Sequence, residues 1–190
     1  MRQVDILGMN FLKSFLKFSW DIIKVAVVAL VLAGLIRHFL VQPFFVEGAS
    51  MEPNFENGEY LLVDELSYYF RSVERSEVVV FHYPLDTSKY YIKRVIGLPG
   101  ETVEIKNNAV TVYNDENPNG LTLDENYLPE NLITDGSIKQ KLGQNEYFVL
   151  GDNRLASYDS RRWGILPKND IVGRVWVRAW PVSRAAVFNY

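Results

Sequence analysis

The sequence has no cysteine and only two histidines, His38 and His82, among its 190 residues. The first absence excludes disulfides, thiol nucleophiles and cysteine-ligated metals, and two imidazoles are too few for a three-histidine zinc site. A strong charge of one sign is also missing, because the net charge is −3 at pH 7. A nucleic-acid partner is therefore not expected. We expect no metal and no cofactor, and we expect any catalysis to use oxygen and amine groups.

The most prominent feature present is an apolar segment near the start of the chain. Residues 25–36 carry no polar side chain, and residues 20–41 contain only four charged or titratable side chains. A helix of that length measures about 33 Å at ~1.5 Å per residue, which matches the hydrocarbon core of a bilayer. The segment predicts one transmembrane helix over residues 20–41. The alternatives are a buried core helix and a cleaved secretory signal, although no small-x-small cleavage site follows the apolar run.

Basic residues on the two sides of this segment predict its orientation. Lys13, Lys17 and Lys24 precede or begin the segment, whereas no lysine or arginine lies between Arg37 and Arg71. By the positive-inside rule, residues 1–19 lie in the cytoplasm and residues 42–190 form an extracytoplasmic domain of a single-pass protein in the cell membrane.

The part of the chain after Pro43 has the pattern of a mainly β domain. Short runs rich in β-branched and aromatic residues alternate with turn residues, and Asn107-Asn108 has the composition of a hairpin turn. The predicted strands are Tyr60–Val63, Glu77–His82, Tyr90–Ile96, Thr102–Ile105, Ala109–Tyr113, Tyr147–Leu150 and Gly173–Trp180. Residues 114–144 are polar and are interpreted as a variable insertion, to which the sequence assigns no role.

Two residues in this domain could carry nucleophilic chemistry. Ser50 follows Gly48-Ala49 and precedes Pro53, a setting that suits an exposed nucleophile but is more often found in structural turns. Lys93 interrupts a predicted strand and shares a face with Tyr91 and Val95 by the two-residue period. Burial would lower the pKa of such a lysine and make its neutral amine a general base, whereas an edge-strand lysine would only bury its stem.

A third polar segment, residues 151–164, directly follows an apolar strand. Its Asp159 and Arg161 could form a bidentate ion pair that fixes the loop, and Ser157 could orient an amine. The alternative interpretation is a polar turn without a catalytic role.

These segments together closely resemble the type I signal peptidases, in particular the bacterial form with one transmembrane helix. The matching stretches occur in the family's order and are Pro43-Phe44, residues 48–53, residues 58–64, residues 91–101 and, in the last segment, Gly151-Asp-Asn-Arg with Ser157, Asp159-Ser-Arg161 and Trp163-Gly164. The resemblance implies an antiparallel β-sheet catalytic domain behind the anchor. It also implies a serine endopeptidase that removes signal peptides after small residues.

The resemblance further implies roles for individual residues and partners. Ser50 would be the nucleophile and Lys93 the general base, with Ser157 bonded to the lysine amine and Asp159 and Arg161 bracing the site. Shallow substrate pockets would be lined by Phe44, Val46, Met51, Phe55, Tyr91 and Ile92. The implied partners are preprotein signal peptides and the lipid bilayer, and the secretion translocon is a further candidate partner.

Two positions depart from the family pattern. Gly48 stands where many members have a serine or threonine that helps to form the oxyanion hole, so backbone donors, first the Ser50 amide, must serve instead. Asn54-Phe55 replaces the commoner Thr-Leu. The functions left open are a self-cleaving Ser/Lys protein, a tethered β-domain that only binds partners, and a triad based on His82.

Overall fold

The computed structural model describes residues 16–31, 34, 41–130 and 132–190, which belong to two units that divide between Leu40 and Val41. Residues 16–31 are helical. Among the residues that the structure describes, no helix is long and apolar enough to cross a membrane. Residues 32, 33 and 35–40 of the predicted transmembrane helix, and residues 1–15 of the predicted cytoplasmic segment, lie outside the described residues.

The second unit consists mainly of antiparallel strands. The first six are β1 (Val41–Phe45), β2 (Tyr60–Asp64), β3 (Val78–Tyr83), β4 (Asp86–Gly97), β5 (Thr102–Lys106) and β6 (Ala109–Tyr113). The others are β7 (Leu121–Thr122), β8 (Ile138–Lys141), β9 (Glu146–Leu150), β10 (Leu166–Pro167), β11 (Ile171–Trp180) and β12 (Ala186–Val187). Within residues 41–130 and 132–190 the short helices are an α-helix at Ser160–Trp163 and 3-10 helices at Leu66–Tyr69, Lys168–Asp170 and Val182–Arg184.

The strands form two sheets. The larger sheet has eight strands in the order β1-β2-β11-β3-β4-β9-β10, with β12 paired to β11, and the smaller has four in the order β7-β6-β5-β8. All strand pairs are antiparallel. The predicted mainly β, antiparallel fold is confirmed.

Each predicted strand corresponds to an observed one, and Ala109–Tyr113 has the same bounds. At the β5–β6 hairpin Asn107 and Asn108 have φ of 53° and 64°, the left-handed conformation that a tight type I′ turn requires. Of the additional strands, β7, β10 and β12 have two residues each, which is too short for a hydrophobic alternation to be recognised. Of the other two, β1 contains Pro43 and β8 lies in the polar stretch 114–144.

Three apolar clusters stabilise these sheets. One contains Val46, Met51 and Phe55 beside Leu61 and Val63, and therefore anchors the connection between β1 and β2. The strand β4 passes through the centre of the larger sheet between β3 and β9. This arrangement positions the β1–β2 connection, β4 and the segment after β9 for the site described next.

Candidate active site

Ser50 lies in the loop that connects β1 and β2. The loop is closed at its base by hydrogen bonds from Val46 N to Glu59 O (2.9 Å) and from Gly58 N to Val46 O (2.9 Å). Inside the loop, Phe55 N donates to Met51 O at 2.9 Å. Burial of Met51 beneath the loop holds the preceding serine at a defined position, while Ser50 itself stays half-buried.

Lys93 approaches the same serine from β4. Its side-chain nitrogen lies 2.8 Å from Ser50 Oγ, and it also donates to the carbonyl oxygen of Ile92 at 2.7 Å. The lysine is only 4% exposed, which agrees with its inward-facing position beside Val95 in the strand. The structure therefore brings together the two residues that the sequence proposed as nucleophile and base, although they are 43 positions apart.

The environment of Lys93 changes its protonation. Burial lowers the pKa of its amine from 10.5 to about 8, because removal from water disfavours the charged form. The carboxylates of Asp159 and Asp152 oppose this shift, since nearby negative charge favours the ammonium ion. A substantial neutral fraction of Lys93 is thus present at mildly alkaline pH, and a neutral amine can accept a proton from a hydroxyl.

The segment after β9 surrounds this pair. Arg161 binds Asp159 through two hydrogen bonds, Nε to Oδ1 at 2.8 Å and Nη2 to Oδ2 at 2.8 Å, which is the predicted bidentate pair. Asp159 also accepts from the Gly151 amide at 3.1 Å and from the Arg161 amide, which caps the short helix Ser160–Trp163. Burial would raise the pKa of Asp159, but its bonds to Arg161 and Gly151 keep it below the usual value.

Ser157 does not make the hydrogen bond that was predicted for it. Lys93 Nζ bonds to Ser50 Oγ and Ile92 O, and no hydrogen bond between it and Ser157 Oγ is present. The Ser157 hydroxyl is buried instead between Gly151 and Asp159, and it contributes to lowering the pKa of Asp159. The Lys93 amine donates to the carbonyl of Ile92 in its own strand instead.

Gly48 occupies the position where related proteins place a hydroxyl. Its φ is +88°, a conformation that disfavours residues with a side chain, although a Cβ atom there would meet no other atom within 4 Å. Its amide donates to Asn57 Oδ1 at 2.9 Å and is therefore already engaged. Backbone conformation, and not crowding, accounts for the glycine.

A groove of about 270 Å³ opens beside Ser50 and Lys93. It is lined by Phe44, Phe45, Val46, Glu47, Ser50, Leu61, Val80, Tyr90, Tyr91, Ile92 and Lys93. Four of the predicted pocket residues, Phe44, Val46, Tyr91 and Ile92, belong to this lining. Met51 and Phe55 are not among these lining residues; each is 1% exposed and packs in the apolar cluster below the nucleophile loop.

Several polar residues that have no role predicted from the sequence hold the loops together. Arg94 binds the fully buried Asp152 through Nε–Oδ1 (2.8 Å) and Nη2–Oδ2 (2.5 Å). Asn153 donates from its amide to Ser50 O and from its side chain to Ala49 O, both at 3.0 Å. One signal in the sequence could have indicated them. Lys93 and Arg94 are adjacent charges within one strand, and such a pair is unusual in a buried strand.

A hydroxyl in contact with a buried, partly neutral amine, next to an apolar groove on a β scaffold, is typical of a hydrolase site. The model of the family "Signal peptidase, peptidase S26" matches residues 19–180 of this chain. The chain therefore belongs to the signal peptidase family, peptidase S26.

Similar proteins agree with this assignment. The chain is 39% identical over 173 residues to "Probable signal peptidase I-2" of Synechocystis sp., covering 87% of this chain and 75% of that protein. It is 41% identical over 165 residues to "Signal peptidase I" of Bacillus amyloliquefaciens, covering 81% of both chains. Over 180 residues it is 38% identical to "Signal peptidase IB" of Staphylococcus aureus, covering 85% of this chain and 89% of that one. The chain is an enzyme of the signal peptidase I type.

Proposed function

We propose that this chain is a membrane-anchored serine endopeptidase that removes signal peptides from exported preproteins by cleaving after small residues, with Ser50 as nucleophile and Lys93 as general base. The observation that carries the proposal is the 2.8 Å contact between Lys93 Nζ and Ser50 Oγ, made by a lysine whose pKa burial lowers to about 8. A serine hydroxyl is a weak nucleophile until such a base accepts its proton.

The proposed reaction has two stages. In the first, Ser50 Oγ attacks the scissile carbonyl carbon while neutral Lys93 takes the hydroxyl proton. Lys93 then gives this proton to the departing amine, so the peptide bond breaks and an ester to Ser50 remains. In the second, water attacks the ester, Lys93 accepts a proton from the water, and its return to Ser50 Oγ releases the new carboxyl terminus.

The oxyanion formed during attack needs donors that are aimed at it. The Gly48 amide is bonded to Asn57, so the amide of Ser50 itself is the proposed first donor. Asn153 supports this role because it holds the carbonyls of Ala49 and Ser50 and thereby fixes the plane of the peptide groups around the serine.

The groove supports the proposed preference for small residues. Its walls are aromatic and branched side chains, among them Phe44, Tyr91 and Ile92, which leave about 270 Å³ for several substrate residues. Tyr91 is further fixed by stacking on Tyr83, with ring centroids 4.6 Å apart. A rigid, shallow apolar wall accommodates alanine and excludes bulky side chains.

The proposed location is the cell membrane, with one span at residues 20–41, the N-terminus in the cytoplasm and the catalytic domain outside. The length of the apolar segment and the lysines before it support this topology. Preprotein signal peptides and the lipid bilayer are the proposed partners, and the secretion translocon is a further candidate. Confinement of enzyme and substrate to one membrane would raise their effective concentration.

The direct test is cleavage of a purified preprotein in detergent, with the new N-terminus of the product sequenced. The wild type should cut after a small-x-small site, and Ser50→Ala and Lys93→Met should each lower kcat by at least about 10³-fold, because each removes a group that takes part in bond making. Lys168→Met, the same substitution at an exposed lysine, is the control and should retain activity. Full activity in either Ser50→Ala or Lys93→Met would exclude the proposed pair, and a loss confined to His82→Ala would favour the triad.

A further inference from the structure

One part of the polar insertion lies against the site. Residues 124–135, here called the brace segment, belong to the stretch 114–144 to which the sequence assigned no role. The structure describes this segment except for residue 131. Its contacts reach both the loop that carries Ser50 and the loop after β9.

The first contact is with Asn54, four residues after the nucleophile. Its Nδ2 donates to the carbonyl oxygen of Tyr127 in the brace segment at 2.8 Å and to Asp152 Oδ2 at 2.8 Å. One carboxamide therefore joins the nucleophile loop, the brace segment and the loop after β9. Threonine, the commoner residue of related sequences at this position, has a single hydroxyl hydrogen and could make only one of these donations.

The second contact is with Arg154, which is 2% exposed. Its guanidinium binds both carboxylate oxygens of Glu125, with Nη1–Oε2 at 2.9 Å, and also donates to Thr134 Oγ1. On its other side Nε donates to the Gly151 carbonyl at 3.2 Å. A buried guanidinium is stable only with such partners, so Glu125 determines where Arg154 and its loop can lie.

This loop in turn holds the nucleophile. Asn153, the neighbour of Arg154, bonds to the carbonyls of Ala49 and Ser50 at 3.0 Å each. The ring of Tyr127 lies against the Arg94 guanidinium, with 4.1 Å between the guanidinium carbon and the ring centroid. The brace segment therefore contacts two of the basic residues that fix the surroundings of Ser50 and Lys93.

We propose that the brace segment positions Ser50 relative to Lys93, with Asn54 and Arg154 as the positioning residues through which Glu125 and Tyr127 act. The inference rests on the proposed Ser/Lys function. It assigns a role to a segment of the insertion and explains the asparagine at position 54 as the donor that links three loops.

The physical consequence is a loss of turnover without a loss of substrate binding. Misplacement of reacting groups by about 1 Å can cost on the order of 100-fold in rate. The groove beside Ser50 is lined by residues of β1 to β4 and the start of the nucleophile loop, and none of its lining residues belongs to the brace segment. Loosening the brace should therefore reduce kcat and leave KM almost unchanged.

The experiment compares Glu125→Gln and Asn54→Thr with the wild type, using the full chain in detergent micelles and a preprotein substrate. Turnover is expressed per folded enzyme, with the folded fraction measured by circular dichroism at the assay temperature. We expect kcat to fall at least about tenfold in each variant and KM to stay within about twofold.

The matched control is Glu101→Gln. Glu101 is 5% exposed and pairs with Arg75 at 2.6 Å near the β4–β5 turn, and its other side-chain hydrogen bonds come from Leu98 and Asn114, outside the loops of the site. Glu101→Gln should lower Tm because it breaks a buried ion pair, but it should leave the kcat of the folded enzyme unchanged.

Wild-type kcat per folded molecule in Asn54→Thr would overturn the inference, and so would a KM increase that accounts for the whole loss. If Glu125→Gln does not fold, Asn54→Thr decides alone. An inactive wild type would contradict the proposed function instead, so the two failures are distinguishable.

Discussion

The surroundings of Lys93 and the interior of the smaller sheet differ sharply in what they bury. Beneath the β5–β6 hairpin lies an apolar cluster that consists of Ile96, Val103, Ile105, Val110, Val112, Leu142, Phe148 and Leu150. Around Ser50 the buried groups include five ionisable side chains, namely Lys93, Arg94, Asp152, Arg154 and Asp159. The first region stabilises the fold. In the second, the desolvation of charges costs free energy, and the same buried groups hold Ser50 and Lys93 in contact.

The buried charged residues differ in how the free-energy cost of their desolvation is offset. Burial alone would lower the pKa of Arg94 and Arg154, but their carboxylate partners Asp152 and Glu125 keep it above the usual value. Among the described residues, no carboxylate forms an ion pair with Lys93, so desolvation dominates and lowers the pKa of its amine. The arginines that support the site thus have paired carboxylates, whereas the charge of the proposed base is only partly compensated, by the more distant Asp159 and Asp152.

Two glycine-to-alanine substitutions, one in each region, give the largest expected contrast. A Cβ at Gly151 would collide with Ser157 Oγ and with the carbonyl oxygen of Ser50, so Gly151→Ala should displace the nucleophile and lower kcat by about 100-fold. A Cβ at Gly97 would collide with Val103 and lie 2.7 Å from Leu142 Cδ1. Gly97→Ala should therefore cost about 1–3 kcal/mol of stability and leave the kcat of the folded enzyme unchanged. Preprotein cleavage measures kcat, and urea unfolding measures stability. Equal losses of kcat in the two variants would show that activity and stability do not depend on separate regions.

Replacing Lys93 should abolish activity and raise the free energy of unfolding. A pKa near 8 in the folded protein, against 10.5 for the free side chain, corresponds to a penalty of about 3 kcal/mol when the pH is low enough to protonate Lys93. The unfolded chain binds more protons between those two values, so the stability contributed by this site rises with pH from about 8 to about 10.5. Inactive Lys93→Met should therefore exceed the wild type in free energy of unfolding by up to about 3 kcal/mol at pH 7, and the gap should close near pH 11. A gap that does not change with pH would mean that Lys93 does not titrate as inferred.

The pH dependence of cleavage should reveal the same group. The proposed base is active when neutral, so kcat/KM should fall about tenfold per pH unit below the pKa of Lys93, which is about 8. Because Asp159 raises that pKa, Asp159→Asn should move the acidic limb to lower pH even where it also reduces the maximum rate. An acidic limb that disappears in His82→Ala would assign the base to the histidine instead.

The sequence predicted the local features well because they depend on local rules. The alternation in Ala109–Tyr113 and the Asn107-Asn108 turn follow from the geometry of strands and tight turns, and both are present as predicted. The motif resemblance assigned Met51 to the pocket, but its side chain packs in the apolar cluster below the loop and does not line the groove, because neighbouring residues in a tight loop point in different directions. Short strands such as β10 were missed because two residues carry no periodicity.

The support of the site could not be predicted because it depends on contacts between distant residues. Nothing near Asn54 in the sequence indicates that its amide bonds to Tyr127, 73 positions later, or to Asp152, 98 positions later. The same holds for Ser157. Its hydroxyl was expected to bond to the amine of Lys93, but it lies against Asp159.

The absence of cysteine and the scarcity of histidine favoured hydroxyl and amine chemistry, and the order of the motifs led us to propose Ser50 and Lys93 as nucleophile and base. The amino-acid sequence alone was enough for this proposal, because it rests on side-chain chemistry and on the resemblance of the motifs to a known family. Only the tertiary structure decided that Lys93 is buried, that its amine lies 2.8 Å from Ser50 Oγ, and that the insertion supports the two loops around them. Desolvation and distance arise when remote segments pack together, and both are needed before an ordinary lysine can act as a base.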